Sequence, residues 1–184
     1  MRVAVTGTPG TGKTTATELL ESRLADSDAA ADDASMPDLE VIHLNRVLED
    51  EELYTEVDAD RESKVADLEA LSEWLDGRDD VVIESHLSHH VDADRVAVLR
   101  CEPATLEERL LERGETEAKA AENAESEALD VILSEAVEKH GLESVYEIDT
   151  TERDPAGVAD ELAAVTEGER EPTAGEVDYM GYLT

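Results

Sequence analysis

Residues 7–14 read Gly-Thr-Pro-Gly-Thr-Gly-Lys-Thr and fit the spacing G-x-x-x-x-G-K-[ST] at every position. The chemistry this spacing permits is the binding of a polyphosphate. Glycines let the backbone wrap closely around phosphate oxygens, and a helix opening at the end of the loop aims its free N–H groups and positive dipole end at them. Gly10, Gly12 and Thr15 form the cradle, Lys13 reaches the β- and γ-phosphates, and the Thr14 hydroxyl ligates magnesium. The groups implied are therefore ATP and Mg2+. The flanks give the motif its meaning. Arg2-Val3-Ala4-Val5-Thr6 reads as a short apolar strand, and residues 14–24 place Leu19, Leu20 and Leu24 at helical spacing.

A second apolar strand, Val81-Val82-Ile83-Glu84, ends in an acid, which is where a phosphate-loop enzyme holds magnesium directly or through water. His86 shares the side of Glu84 if the strand continues, placed to orient or deprotonate a water near the γ-phosphate. His86, His89 and His90 bring three of the five histidines into a five-residue span, which invites a metal reading. The run lacks the i, i+4 spacing of a helical zinc pair, so that reading is set aside. Arg109 and Arg113 lie four apart on a predicted helix and share a face. Arg113 borders Gly114 and a polar segment, where a planar guanidinium could clamp transferring phosphates. The competing expectation is a surface ion pair with Glu108 or Glu112. Arg46 and Arg61 flank an acidic stretch after the second strand, where a second nucleotide could sit.

Those groups must be positioned by a chain of 184 residues, a length that suits one domain with a sizeable core. With 49 acids against 15 bases the formal net charge is −34, and there is no Phe. The acid is spread along the chain and interleaved with apolar periodicity, unlike a disordered tail. Self-repulsion on this scale destabilises a compact state in dilute salt, and molar salt screens it to about 3 Å. The composition resembles that of haloarchaeal proteins. Cys101 is the single cysteine, so disulfide and zinc-cluster frameworks are excluded, and it reads as a small buried hydrophobe. No 18-residue apolar run or signal-peptide layout is present, so a soluble, cytoplasmic protein without membrane contact is expected. The global field also disfavours direct nucleic-acid binding.

Along the chain, an acidic connection at 26–38 leads to a strand at 39–44. A short helix capped by Asn45 is expected to run to about Leu53, followed by an irregular stretch at 54–63. A helix over 64–76 places Val65, Leu68, Leu71, Trp74 and Leu75 on one stripe. After the strand ending at Glu84 come a strand over 95–101 and a helix from Pro103 to Arg113 stopped by Gly114. Residues 115–122 read as irregular, 123–140 as one long helix stopped by Gly141, 144–148 as a strand and 155–165 as a last helix. A polar tail, 167–184, follows. Alternating strands and helices predict an α/β three-layer P-loop NTPase fold with a central parallel sheet, its ligands at the carboxyl ends of the strands.

The chain resembles the adenylate kinase isoenzyme 6 family, the archaeal and eukaryotic ribosome-maturation adenylate kinases. The residues that carry this are the loop Gly7 to Thr15, Glu51-Glu52-Leu53-Tyr54, Glu84-Ser85-His86 and Val98-Leu99-Arg100. The run Leu106 to Gly114, then Glu122-Asn123 and Glu147-Ile148-Asp149-Thr150-Thr151, follow in the family's order. The resemblance covers most of residues 1–166, read as one nucleoside monophosphate kinase-like domain. It implies a monophosphate-binding region around 43–61, a short lid around 112–122 and transfer of the ATP γ-phosphate to AMP or another monophosphate. It also implies an ATPase activity and a transient small-subunit ribosomal protein partner during late maturation of that subunit and its 16S rRNA. Two other readings compete: an ATP-hydrolysing assembly factor with incidental kinase activity, and another small-molecule kinase such as shikimate kinase. Glu84 stands where eukaryotic members carry aspartate, and the family assigns no role to the acidic connection or the tail.

Overall fold

A computed structural model describes residues 1–29, 39–58 and 63–184. Five strands form one sheet: β1 (Arg2–Thr6), β2 (Glu40–His43), β5 (Val81–Glu84), β6 (Arg95–Arg100) and β7 (Val145–Asp149). Their order is β2-β5-β1-β6-β7, with every neighbouring pair parallel. These strands are apolar on both sides, as a sheet covered by helices on both faces requires. Alternation divides them: Val3 and Val5 face α1 (Lys13–Ala29) and α7 (Pro155–Glu167), packing with Leu20, Leu24, Val158 and Leu162. On the other face Ala4, Val96 and Val98 meet Leu133 and Ala136 of α6 (Val131–His140). Ile42 and Ile83 meet Leu44 of α2 (Leu44–Asp50) and Leu71 of α3 (Leu68–Trp74). The three-layer fold follows, with β1 central and its carboxyl end open to the phosphate loop.

Five expectations change. Asn45 does not cap α2; the cap position is His43, and Asn45 Oδ1 instead accepts from Ser85 Oγ at 3.0 Å. Residues 54–58 and 63–66 are not an irregular stretch running into a helix, and residues 59–62 lie outside the described residues. β3 (Tyr54–Asp58) and β4 (Ser63–Ala66) pair antiparallel as a separate two-stranded sheet. Helix α3 begins only at Leu68, because the Asp67 side chain accepts from the Ala70 N–H and sets its start. Residues 115–122 are mostly helical: α5 (Glu117–Ala128) starts at the Thr116 cap. Its polar residues are good helix formers, and Ala120, Ala124 and Ala128 give it a buried stripe. The predicted helix over 123–140 is therefore two, broken where Asp130 takes a left-handed backbone at φ 53°. Helix α4 (Pro103–Glu112) ends as expected at Gly114.

Helix α1 continues through Ala29, so the acidic connection begins later than predicted, and residues 30–38 lie outside the described residues. The polar tail is docked. Thr173 forms a parallel bridge with Tyr146 beside β7, and Arg170 Nη2 donates to the Glu147 carbonyl at 2.8 Å. Tyr182 donates to Glu107 at 2.9 Å, tying the chain's end to α4. Among the described residues no helix is long and apolar enough to cross a membrane.

Candidate nucleotide site

The loop after β1 opens directly into α1, and two glycines show why no other residue fits there. Gly12 has φ +90°, a conformation costly for any residue with a Cβ. A Cβ on Gly10, itself at φ +97°, would meet Leu106 Cδ1 at 2.9 Å and Leu110 at 3.2 Å, so the loop lies hard against α4. Lys13 is buried and folds back over the loop, donating to the carbonyls of Gly7 at 2.7 Å and Thr8 at 3.0 Å. Burial lowers its pKa to about 8, against the opposing pull of Glu84 and Glu127, and the Arg113 charge adds to the lowering. Among the described residues its hydrogen bonds go to neutral carbonyls, so the ammonium is short of an anion. A phosphate would supply one.

Thr14, in the first turn of α1, donates to Glu84 Oε1 at 3.2 Å. The other Glu84 oxygen is held by His43 Nδ1 at 2.8 Å, and both side chains are buried. A hydroxyl and a carboxylate converging beside a phosphate loop are the hard oxygen donors magnesium takes, with phosphate and water completing its shell. The residues fit that ion.

His86 reaches the same cleft by a different route from the one predicted. The strand ends at Glu84, and the chain turns as the Leu87 N–H donates to Ser85 Oγ at 3.1 Å. Burial, reinforced by the Lys13 charge, lowers the His86 pKa to about 4. The ring is therefore neutral at pH 7 and a weak base. It suits orienting a water better than deprotonating one.

Lys13, Thr14, Thr15, Gly10, Gly12, Glu84, His86 and Arg113 all line one cleft of about 340 Å³, so the predicted residues are brought together. Arg113 also borders a second cleft of about 240 Å³, with Arg109, Thr150, Arg153 and Pro155. The surface ion pairs expected with Glu108 or Glu112 are absent among the described residues. Arg109 instead donates to the carbonyls of Thr150 and Thr151 at 3.2 and 3.1 Å. A third cleft of about 280 Å³, lined by Asn45, Leu48, Glu49, Tyr54, His86 and Leu87, adjoins the first through Asn45 and His86. Arg46 stands apart from it, pairing with Glu18 at 3.3 Å on the exposed surface, and Arg61 lies outside the described residues.

Two features were missed in the sequence. One is His43, which aims Glu84. The other is Arg100 at the end of β6, 1% exposed, with Nε 2.7 Å from Glu127 and its terminal nitrogens on Glu147 and Asp130. Thr8 of the loop donates to Glu127 as well, so this knot braces the loop from behind. A charged residue closing the apolar run Arg95–Arg100 was the available signal. Cys101 is buried and its thiol is pushed up to about 11 by burial, in keeping with a packing role.

Fold and site together define a P-loop protein of the α/β class. A family model for an AAA domain, AAA_18, matches residues 3–130, and the chain belongs to that family. It is 58% identical over 183 residues to a Natronomonas pharaonis protein named "Putative adenylate kinase", with all of both chains covered. Proteins of the same name from Halobacterium salinarum and Methanocaldococcus jannaschii are 54% and 38% identical, covering all of this chain and 100% and 98% of theirs. Among solved structures, the fold is shared with a deoxyadenosine kinase from M. mycoides at TM-score 0.57 and 16% identity, covering 92% of this chain and all of that one. A shikimate kinase from Bacteroides thetaiotaomicron superposes at TM-score 0.54 and 18% identity, covering 91% of this chain and 98% of that one.

Proposed function

We propose that this protein is a nucleoside monophosphate kinase that moves the γ-phosphoryl group of ATP to AMP or a related monophosphate, and that it also hydrolyses ATP slowly. The observation that carries the reading is the adjacency of two clefts. The one holding Lys13, Thr14, Glu84 and Arg113 shares Asn45 and His86 as walls with the one bordered by Leu48, Glu49 and Tyr54. A donor triphosphate in the first and an acceptor monophosphate in the second would meet at His86. The names of the full-length archaeal relatives support this.

An acceptor phosphate oxygen attacks the γ-phosphorus, the bond to the β–γ bridging oxygen breaks, and two nucleoside diphosphates leave. Magnesium, when bound, neutralises charge between the β- and γ-phosphates. Thr14 and Glu84 would hold it, and His43 keeps the Glu84 carboxylate turned toward Thr14. Lys13 exchanges its backbone carbonyls for the phosphates, and Arg113, at the border of two clefts, follows the moving group. Arg109 and Pro155 frame the second cleft, where the base of ATP would lie. The chemistry is positioning plus charge neutralisation, with no covalent intermediate on the protein.

A second reading, an ATP-driven assembly factor with a transient small-subunit ribosomal protein partner, draws on the acidic surface. A net charge of −34 complements a basic, RNA-binding partner. The same charge leads us to infer a molar-salt, cytoplasmic setting, tested by melting in molar and about 0.1 M KCl, where screening extends to about 10 Å. ATP consumption in molar KCl, with and without a panel of monophosphates, separates the two functions. Strong stimulation by AMP is expected; an AMP-independent rate stimulated by a basic ribosomal protein would favour the second.

A further inference from the structure

The histidine run holds a second constellation that the nucleotide site does not use. His89 and His90 lie in the 3-10 turn Ser88–His90 after β5, and Glu135 approaches from α6. Glu135 Oε2 is 2.9 Å from His89 Nε2 and 3.9 Å from His90 Nε2. The three ligand atoms all fall within 4.8 Å of one another. Ligand atoms about 2.0–2.2 Å from a tetrahedral zinc stand about 3.3 Å apart, so adjustments of an ångström or so would complete the geometry.

The surroundings are those of a held ligand set. His89 is buried, and its other nitrogen, Nδ1, is 2.9 Å from Thr6 Oγ1. As the site stands, Nε2–H donates to the Glu135 carboxylate and Nδ1 accepts from the Thr6 hydroxyl. With a divalent ion on Nε2 the ring proton would sit on Nδ1 and donate to Thr6 Oγ1, whose hydroxyl would turn to the His86 carbonyl 3.3 Å away. Either way the ring is oriented by its second nitrogen, as metal-ligating histidines are. His140 donates to the His89 carbonyl at 2.8 Å and Lys139 to the His90 carbonyl, so α6 grips the turn on both ligand residues. His90 and Glu135 are 34% and 47% exposed, which leaves a path in from solvent.

We propose that His89, His90 and Glu135 form a site for one divalent transition-metal ion of the zinc class, distinct from the magnesium position at Thr14 and Glu84. Imidazole pairs with a carboxylate select zinc-like ions over magnesium and calcium, which prefer all-oxygen shells. The ion would clip the turn after β5 to α6. His89 touches Thr6, the residue before the phosphate loop, so the clip would brace the floor on which that loop is built.

The test uses chelator-treated full-length protein in molar KCl, titrated with Co2+ and then Zn2+. One equivalent of Co2+ should produce the intense visible absorption of a four-coordinate ion, and Zn2+ should bleach it. Zn2+ should also raise the melting temperature, since binding to the folded state alone is stabilising. His90→Ala and Glu135→Gln should each weaken binding by more than about 100-fold, beyond the 10- to 100-fold cost of losing an outer-shell partner. Glu135→Gln keeps shape and an acceptor oxygen, so it guards against loss through misfolding. His86→Ala should bind the ion as the parent does. Absence of stoichiometric binding, unchanged binding in both site variants, or loss in His86→Ala with retention in His90→Ala would overturn the proposal.

Discussion

Two buried charge clusters sit at the carboxyl edge of the same sheet, one behind the phosphate loop and one within it, and they are built to opposite rules. Arg100 commits its guanidinium to Glu127, Glu147 and Asp130, is 1% exposed, and carries Tyr179 over it with the ring centroid at 5.4 Å. Lys13 is buried too, yet its bonds go to neutral carbonyls, its pKa falls to about 8, and it lines the cleft of about 340 Å³. Burial of a charge therefore does not mark a functional residue in this molecule. Unspent bonding capacity facing open space does.

The sharpest way to break the comparison is to remove each cation in turn. Lys13→Ala should lower phosphoryl transfer and ATP hydrolysis by about 10³-fold or more, the scale of losing a principal charge stabiliser. Its melting temperature should stay within about 4 °C of the parent, since no buried carboxylate loses its only partner. Arg100→Met should do the reverse. It strands Glu127 and Glu147 without a countercharge, costing about 3–5 kcal/mol and, at about 2–4 °C per kcal/mol, lowering the melting temperature by roughly 10 °C. Thermal melts and turnover on both variants decide this; a stable Arg100→Met protein, or an unstable Lys13→Ala one, breaks the distinction.

His86→Ala sharpens the comparison within the cleft. The acceptor phosphate is already nucleophilic at neutral pH, whereas water must be oriented. ATP hydrolysis should fall by roughly 10- to 1000-fold while AMP-dependent transfer falls much less. Equal losses would assign His86 to holding the turn after β5.

A smaller effect tests the state of Lys13. Its proton is retained by bound phosphate but lost from the free protein above pH 8, so ATP binding takes up a proton and weakens as pH rises. Calorimetry at pH 7 and pH 9 should show about tenfold weaker binding at the higher pH, with proton uptake that depends on buffer. Arg100→Met, if still folded, should show the same dependence. A flat profile would mean that Lys13 stays charged without a ligand.

What could be read from the chain is what local sequence encodes. The loop, its two flanking elements and the apolar strand ending at Glu84 are contiguous runs, and the parallel sheet follows from their alternation. His43 was invisible as a site residue because it meets Glu84 across 41 positions, joined only by the pairing of β2 with β5. The Arg100 knot spans three elements for the same reason, and Glu135 comes to His89 from a helix 46 residues away. At 54–58 and 115–122 polar residues read as irregular backbone, and at 64–66 the apolar stripe of α3 reads one turn too early. There the Asp67 and Thr116 caps, not hydrophobic contrast, mark where helices start.

The central claim is that the Lys13 cleft passes a phosphoryl group to a second nucleotide and not chiefly to water. Following γ-labelled ATP in molar KCl with AMP present tests it most directly. The account predicts the label in the β-position of ADP newly made from AMP, with little as inorganic phosphate. Label released entirely as inorganic phosphate, at a rate indifferent to AMP and every other monophosphate, would contradict it.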